Sequence, residues 1–240
     1  MHLQLPLTKA ALLLIASASH YIGLRPPQPP TPQNAYRGQH FETMVLIWAF
    51  ASRVVIGALS ISNALAIVGL RMEPGDRRAY WIMQTVCPRP SANVQRLVNL
   101  DTLTVFGITT MLLACALRVW CYTTLGRLFT YRVAIIPGHK LVTSGPYAHA
   151  RHPSYTGVFL MLTGAAITYL FTPNNYIQEC GIMTTPWKWL ILYWCACVFF
   201  SVLSLVNRGQ VEDKLMMETF GKEWHAYYAT VPYKFIPFIF

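Results

Sequence analysis

Apolar runs close to twenty residues long recur along this chain, and they decide what it can fold into. They cover residues 3–24, 44–70, 102–125, 155–171 and 187–206. An α-helix rises 1.5 Å per residue, so about twenty apolar residues cross a hydrocarbon layer of about 30 Å. A backbone inside lipid must satisfy its own hydrogen bonds, which leaves helices or closed barrels. The sequence has no strand alternation of the barrel type. The runs therefore predict an all-α integral membrane protein with about five transmembrane helices. Only 12% of the 240 residues are charged, about half the share usual in a soluble domain.

The formal net charge of +10 raises the question of nucleic acid. The 19 lysines and arginines are scattered through short segments between the apolar runs and form no continuous basic face. Membrane lipids with anionic headgroups account for that pattern, and no nucleic-acid partner is expected. Of the six cysteines, Cys115, Cys121, Cys195 and Cys197 lie inside apolar runs, Cys87 and Cys180 outside them, and none forms a Cys-x-x-Cys pair. Cys195 and Cys197 point to different sides of one helix. All six are expected as free thiols, with no disulfide framework and no metal site.

In the first run, Ala16-Ser17-Ala18 has the form of a signal-cleavage site, but the apolar stretch continues to Ile22, which favours a retained helix. The proline-rich residues 25–32 predict a stiff extended linker. The second run is too long to lie straight across the bilayer and is expected to tilt or bend near Gly57. It carries Arg53, which either faces a polar cavity or snorkels. Residues 73–101 are polar, with Tyr80 and Trp81 as interface anchors. Gly126 suits a C-cap for the third span. The fourth span is short, and its Gly157 and Gly164 permit close approach of a neighbour. The fifth meets no breaker before Gly209, so the helix should project beyond the bilayer carrying Arg208 and Glu212. The aromatic tail, residues 227–240, should return to the membrane surface or pack on the bundle. The chain divides into N-terminal membrane helices and linkers, residues 1–100, and a core carrying the motifs, residues 101–240.

Residues 139–157 are polar and rich in His, Arg and Tyr, although apolar runs flank them. Ser144-Gly145-Pro146 reads as a turn. Pro153 restrains His152 to an extended backbone and suits the first turn of the next helix. The free N–H groups at that helix start favour an anionic or polar ligand. An ordinary interfacial loop would have much the same composition. Five spans place this loop and the C-terminal segment on one side of the membrane, so a single enclosed site between them is possible. Arg208 and Glu212, spaced i, i+4, share one helix face, as either a surface ion pair or part of that site.

Leu141-Val-Thr-Ser-Gly-Pro-Tyr147, Arg151-His-Pro-Ser-Tyr155, and Arg208 with Glu212 ahead of Phe220-Gly221 resemble, in that order, the isoprenylcysteine carboxyl methyltransferase family. The resemblance covers roughly the last 110 residues. It implies a multi-pass enzyme of the endoplasmic reticulum membrane with its active site facing the cytosol. The cofactor would be S-adenosyl-L-methionine, and the reaction methyl esterification of the C-terminal carboxylate of prenylated cysteine in lipidated proteins. His139, Lys140, Leu141, Val142, Tyr147, His152, Pro153, Ser154, Tyr155 and Glu212 would bind the cofactor. Arg208 would bind the substrate carboxylate, with Arg208 and Glu212 as the catalytic pair.

Three positions depart from the family pattern. Arg132 stands where relatives carry Gln, Glu212-Asp213 replaces a longer acidic run, and His149 replaces an aromatic residue. Two other readings compete. A phosphatidylethanolamine N-methyltransferase would share the cofactor motifs but need its amine deprotonated. A non-catalytic membrane scaffold would leave the polar loop as a connector.

Overall fold

Capping residues and glycines set the helix boundaries in the computed structural model, which describes residues 5–25, 40–130, 135 and 138–239. The helices are α1 (Leu5–Leu24), α2 (His40–Arg71), α3 (Arg77–Val86), α4 (Thr102–Leu125), α5 (Pro153–Ala166), α6 (Tyr176–Glu179), α7 (Lys188–Phe220) and α8 (Lys222–Thr230). Asp101 starts α4 by accepting from the Thr104 amide at 2.8 Å, and Gly126, at φ +52°, ends it. That is the expected C-cap, at a conformation glycine adopts without Cβ strain. Pro153 occupies the first turn of α5, whose preceding residue, His152, is non-helical. One wider turn, Ile167–Phe171, extends α5, and the Thr168 and Thr172 hydroxyls donate to the carbonyls of Gly164 and Thr168 there. No strand occurs among the described residues. Five described helices are long and apolar enough to cross a membrane, so the all-α membrane class holds.

α2 runs unbroken through Gly57, and α7 continues past Gly209 to Phe220, carrying Arg208 and Glu212 on one rod. α4 and α5 approach backbone to backbone. A Cβ on Gly164 would lie 2.7 Å from the Gly107 carbonyl oxygen. Small residues thus supply in lipid the close contact that water would drive through burial. One core draws Leu13, Ile56, Ile67, Met111, Met161 and Trp194 from α1, α2, α4, α5 and α7.

The alternation of spans defines two faces. One gathers the C-terminal ends of α1, α4 and α7 with the N-terminal ends of α2 and α5, and it carries the polar loop. The other carries α3, α6 and residues 87–101, and here one expectation fails. Cys87 and Cys180, expected as free thiols, form a disulfide across 93 residues of sequence. They lie after α3 and after α6, in segments that return to the same face, and no local spacing marks them as partners. Around them Arg89 N–H donates to Cys180 O at 3.2 Å, Ser91 N–H to Glu179 O at 2.8 Å, and the Tyr176 hydroxyl to Val86 O. Cys115, Cys121, Cys195 and Cys197 are free thiols.

Arg53 packs its guanidinium over the Tyr21 and Phe50 rings, 5.1 and 5.6 Å from their centroids, and donates to Ala49 O. Linker residues 26–32 and Arg132 lie outside the described residues.

Candidate active site

Two distant pieces of chain meet at Glu212. The Tyr155 hydroxyl, in the first turn of α5, donates to Glu212 Oε2 at 2.6 Å. His152 Nδ1 lies 3.5 Å from the same oxygen, while its Nε2 lies 2.8 Å from Asp213 Oδ1. The imidazole thus spans two carboxylates and stacks on Tyr155, with centroids 5.3 Å apart and planes within 8°. Burial would lower the His152 pKa. The hydrogen bonds to Asp213 and Glu212 and their charges outweigh that, so it is raised above its ordinary value and favours the imidazolium. The Arg208 guanidinium lies one turn back on α7, buried and 5.7 Å from the Tyr155 ring centroid.

A second layer fixes this junction. Arg151 donates to Asp213 Oδ2 at 3.3 Å and to the carbonyls of Val231 and Pro232 at 3.0 and 2.6 Å. The amides of Arg151 and His152 donate to Tyr233 O and Lys234 O at 3.0 and 2.8 Å. The Thr156 hydroxyl donates to Phe235 O at 2.7 Å. The C-terminal tail therefore straps the polar loop to α5, with Phe235 buried against His152, Tyr155 and Phe159. The sequence puts the C-terminal segment on the side of the polar loop, with its aromatic tail on the bundle or the membrane surface; these main-chain bonds from Arg151 and His152 are what it does not foretell.

Residues 138–142 lead to the same place. The His139 ring sits 5.8 Å from that of Phe220, and its buried Nδ1 has no hydrogen-bond partner. Burial lowers its pKa, and the Glu212 charge pulls the other way. Leu141 packs on Trp224, Tyr227 and Val231, and the Tyr227 hydroxyl donates to Tyr147 O at 2.7 Å.

One cavity joins these groups. His139, Lys140, Leu141, Val142, Tyr147, His152, Ser154, Tyr155, Arg208 and Glu212 all line it; Pro153 does not, being buried under the first turn of α5. His149 is exposed and away from the cavity. From the polar end, the walls continue between the helices through Val158, Leu162, Val198 and Leu205 to Ser52 and Trp194.

Arg118, on α4, was missed by sequence reasoning. It is 2% exposed, lines the cavity, and donates to Gly23 O and to Ser154 O and Oγ at 2.9 and 3.1 Å. Gly157 makes room for it: a Cβ there would lie 2.5 Å from Arg118 Cγ. Two arginines, Arg53 and Arg118, thus sit in apolar runs, and only Arg118 reaches the cavity.

Fold and cavity together define a polytopic helical membrane protein with a polar chamber at one face that opens into an apolar space between its spans. Residues 107–218 match the model of the Isoprenylcysteine carboxyl methyltransferase (ICMT) family. A protein-S-isoprenylcysteine O-methyltransferase B from Arabidopsis thaliana is 27% identical over 201 residues, which is 79% of this chain and 81% of that one. A protein-S-isoprenylcysteine O-methyltransferase from Schizosaccharomyces pombe is 30% identical over 94 residues, 39% of this chain and 32% of its own. A Delta(14)-sterol reductase from Mus musculus is 25% identical over 103 residues, 43% of this chain and 20% of its own. No solved structure matches. The resemblance read from the ordered motifs is borne out, and with it the reading as an enzyme of the methyltransferase class.

Proposed function

We propose that this protein uses S-adenosyl-L-methionine to methylate the C-terminal α-carboxylate of a prenylated cysteine. The observation that carries the proposal is the single cavity with two characters: carboxylate, imidazole and phenol at its mouth, a guanidinium at the transition, and apolar walls beyond.

The residues at the mouth fit a zwitterionic, nucleoside-bearing ligand. Glu212 supplies a charge complement for an amine or sulfonium, and the buried, unpartnered Nδ1 of His139 is a polar atom in need of a ligand. Lys140, Leu141, Val142, Tyr147, His152, Ser154 and Tyr155 complete the lining, with Pro153 setting the turn. When bound, the cofactor supplies an electrophilic methyl group.

The chain's own residues bind and align. A carboxylate has an ordinary pKa near 4, so the substrate is already a nucleophile at neutral pH and needs no general base. Arg208 meets it with a permanently charged fork that orients without accepting a proton. Tyr155 and His152 hold Glu212 in place, and the buried walls exclude water. A phospholipid amine would ask this site for a proton acceptor beside the nucleophile, and the buried guanidinium suits an acid instead.

The disulfide supports an orientation. Disulfides persist in oxidising compartments such as the lumen of the endoplasmic reticulum, and Cys87–Cys180 lies on the face opposite the site. The site then faces the cytosol, where lipidated proteins carry prenylated C termini. Purified protein given S-adenosyl-L-methionine and a farnesylated cysteine analogue should yield a base-labile methyl ester. Failure to form it, with cofactor binding demonstrated separately, overturns the proposal.

A further inference from the structure

Arg118 is a permanent cation held inside the protein with no anion beside it. It is 2% exposed, and among the described residues no carboxylate lies within ion-pair distance of it. A buried charge is costly unless it is paired, and an arginine within a span faces a partner or a cavity. Arg118 faces the cavity.

Its guanidinium is fixed on one side and open on the other. Nε donates to Gly23 O, and Nη1 to Ser154 O and Oγ at 2.9 and 3.1 Å. These acceptors are all neutral. The Tyr122 hydroxyl donates to the same Gly23 oxygen at 2.7 Å, and its ring centroid lies 5.0 Å from Arg118 Cζ. Nη2 makes no hydrogen bond among the described residues.

Ser154 adds a second donor. Its Oγ accepts from Arg118, which leaves the hydroxyl hydrogen to donate elsewhere. Ser154 is buried and lines the cavity in the first turn of α5, where a helix carries positive partial charge. A guanidinium nitrogen, a hydroxyl and a helix start on one wall form the donor set of a carboxylate receptor.

The other cations of the cavity are engaged or solvated. Arg151 donates to Asp213 and to the carbonyls of Val231 and Pro232, His152 spans Glu212 and Asp213, and Lys140 is exposed. Arg208 meets the substrate carboxylate in the reading above. The methyl donor's zwitterionic tail presents an amine, which Glu212 faces, and a carboxylate, which needs a cation of its own.

We propose that Arg118 and Ser154 bind the amino-acid carboxylate of the methyl donor. The inference rests on the S-adenosyl-L-methionine reading above. Recognition of the tail is then two-pointed, with Glu212 on α7 for the amine and Arg118 on α4 for the carboxylate. A tail held at two points fixes the sulfonium it carries.

Arg118 also ties α1 to α5, so the test compares two ligands on the same protein. Equilibrium binding to nanodisc-embedded protein is measured for S-adenosylhomocysteine and for its decarboxylated analogue, which keeps the adenosine, thioether and amine. The wild type should bind S-adenosylhomocysteine at least about tenfold more tightly, the scale of a hydrogen bond to a charged group. Arg118→Gln should erase that preference by weakening S-adenosylhomocysteine alone, and Arg118→Lys should restore part of it. Ser154→Ala, which leaves the guanidinium in place, should narrow the preference by a smaller factor, and it serves alone should Arg118→Gln not fold. Equal affinities in the wild type, a preference that the folded variants retain, or a loss shared equally by both ligands overturns the receptor and leaves Arg118 a clamp between helices. A wild type that binds neither ligand overturns the cofactor reading and the receptor with it.

Discussion

Glu212 has two hydrogen-bonding neighbours of different kinds, and substitution separates what they contribute. The Tyr155 hydroxyl donates to it at 2.6 Å. Tyr155→Phe should leave the carboxylate in place but less fixed, while Glu212→Gln removes the charge a sulfonium or amine would face. A hydrogen bond to a charged group is worth about 1.5–3 kcal/mol. Cofactor affinity in Glu212→Gln should therefore fall about tenfold to a hundredfold. Arg208→Lys keeps the charge and loses the fork, so kcat/KM for prenylcysteine should drop about a hundredfold by misalignment, with cofactor affinity unchanged.

His152 gives a pH signature. Its pKa is raised in the folded protein above the ordinary 6.5, so it binds its proton more tightly folded than unfolded. That contribution is full below pH 6.5 and is lost as pH rises through the elevated folded value. The Tm difference between wild type and His152→Gln should be largest in mild acid and shrink as pH rises. A difference that grows with pH would contradict the imidazolium bridge. At this scale the sequence exposed the polar cluster because His, Arg and Tyr are conspicuous between apolar runs. Arg118 stayed hidden, since one arginine in an apolar run looks like another. Only the glycine opposite, Gly157, and the carbonyls of Gly23 and Ser154 turn it inward.

The disulfide between the α3 and α6 segments links parts of the chain remote from the site. Cys87→Ser with Cys180→Ser should lower stability by about 2–4 kcal/mol, read as a reduced Tm, and leave methyl transfer intact. Reductant should mimic it in the wild type and do nothing to the double variant. Helix α7 was legible as a rod that outruns the bilayer, because no breaker precedes Gly209; that it continues through Gly209 to Phe220 was not. The disulfide was not: each cysteine sits in a polar connection with no partner spacing, and their meeting depends on two spans returning to one face. The tail was half legible. Its aromatic content indicated packing, but the main-chain bonds from Arg151 and His152 to Tyr233 and Lys234 depend on where α8 delivers it.

Across the whole molecule the two faces differ in chemistry, with a cavity mouth on one and a covalent clamp on the other. The proposed orientation rests on that asymmetry. His149 is exposed, lies in the polar loop and does not line the cavity, so a cysteine there reports the side without touching the site. In sealed reticulum vesicles, His149→Cys should react with a membrane-impermeant maleimide added from the cytosolic side. Reaction only after permeabilisation would place the loop in the lumen. The membrane class was evident from run length alone, because lipid admits few backbones. The continuity of the cavity was not, since it requires that Arg208, Val158 and Trp194 face one another from separate helices.

The central claim is that the loop after α4 and the extension of α7 together enclose a methyl-donor site centred on Glu212. Calorimetry of S-adenosylhomocysteine with the detergent-solubilised wild type and with Glu212→Gln tests it most directly. One binding site per chain in the wild type, weakened at least about tenfold in Glu212→Gln, is the predicted result. No binding to the wild type, or binding that the folded variant retains unchanged, would contradict it.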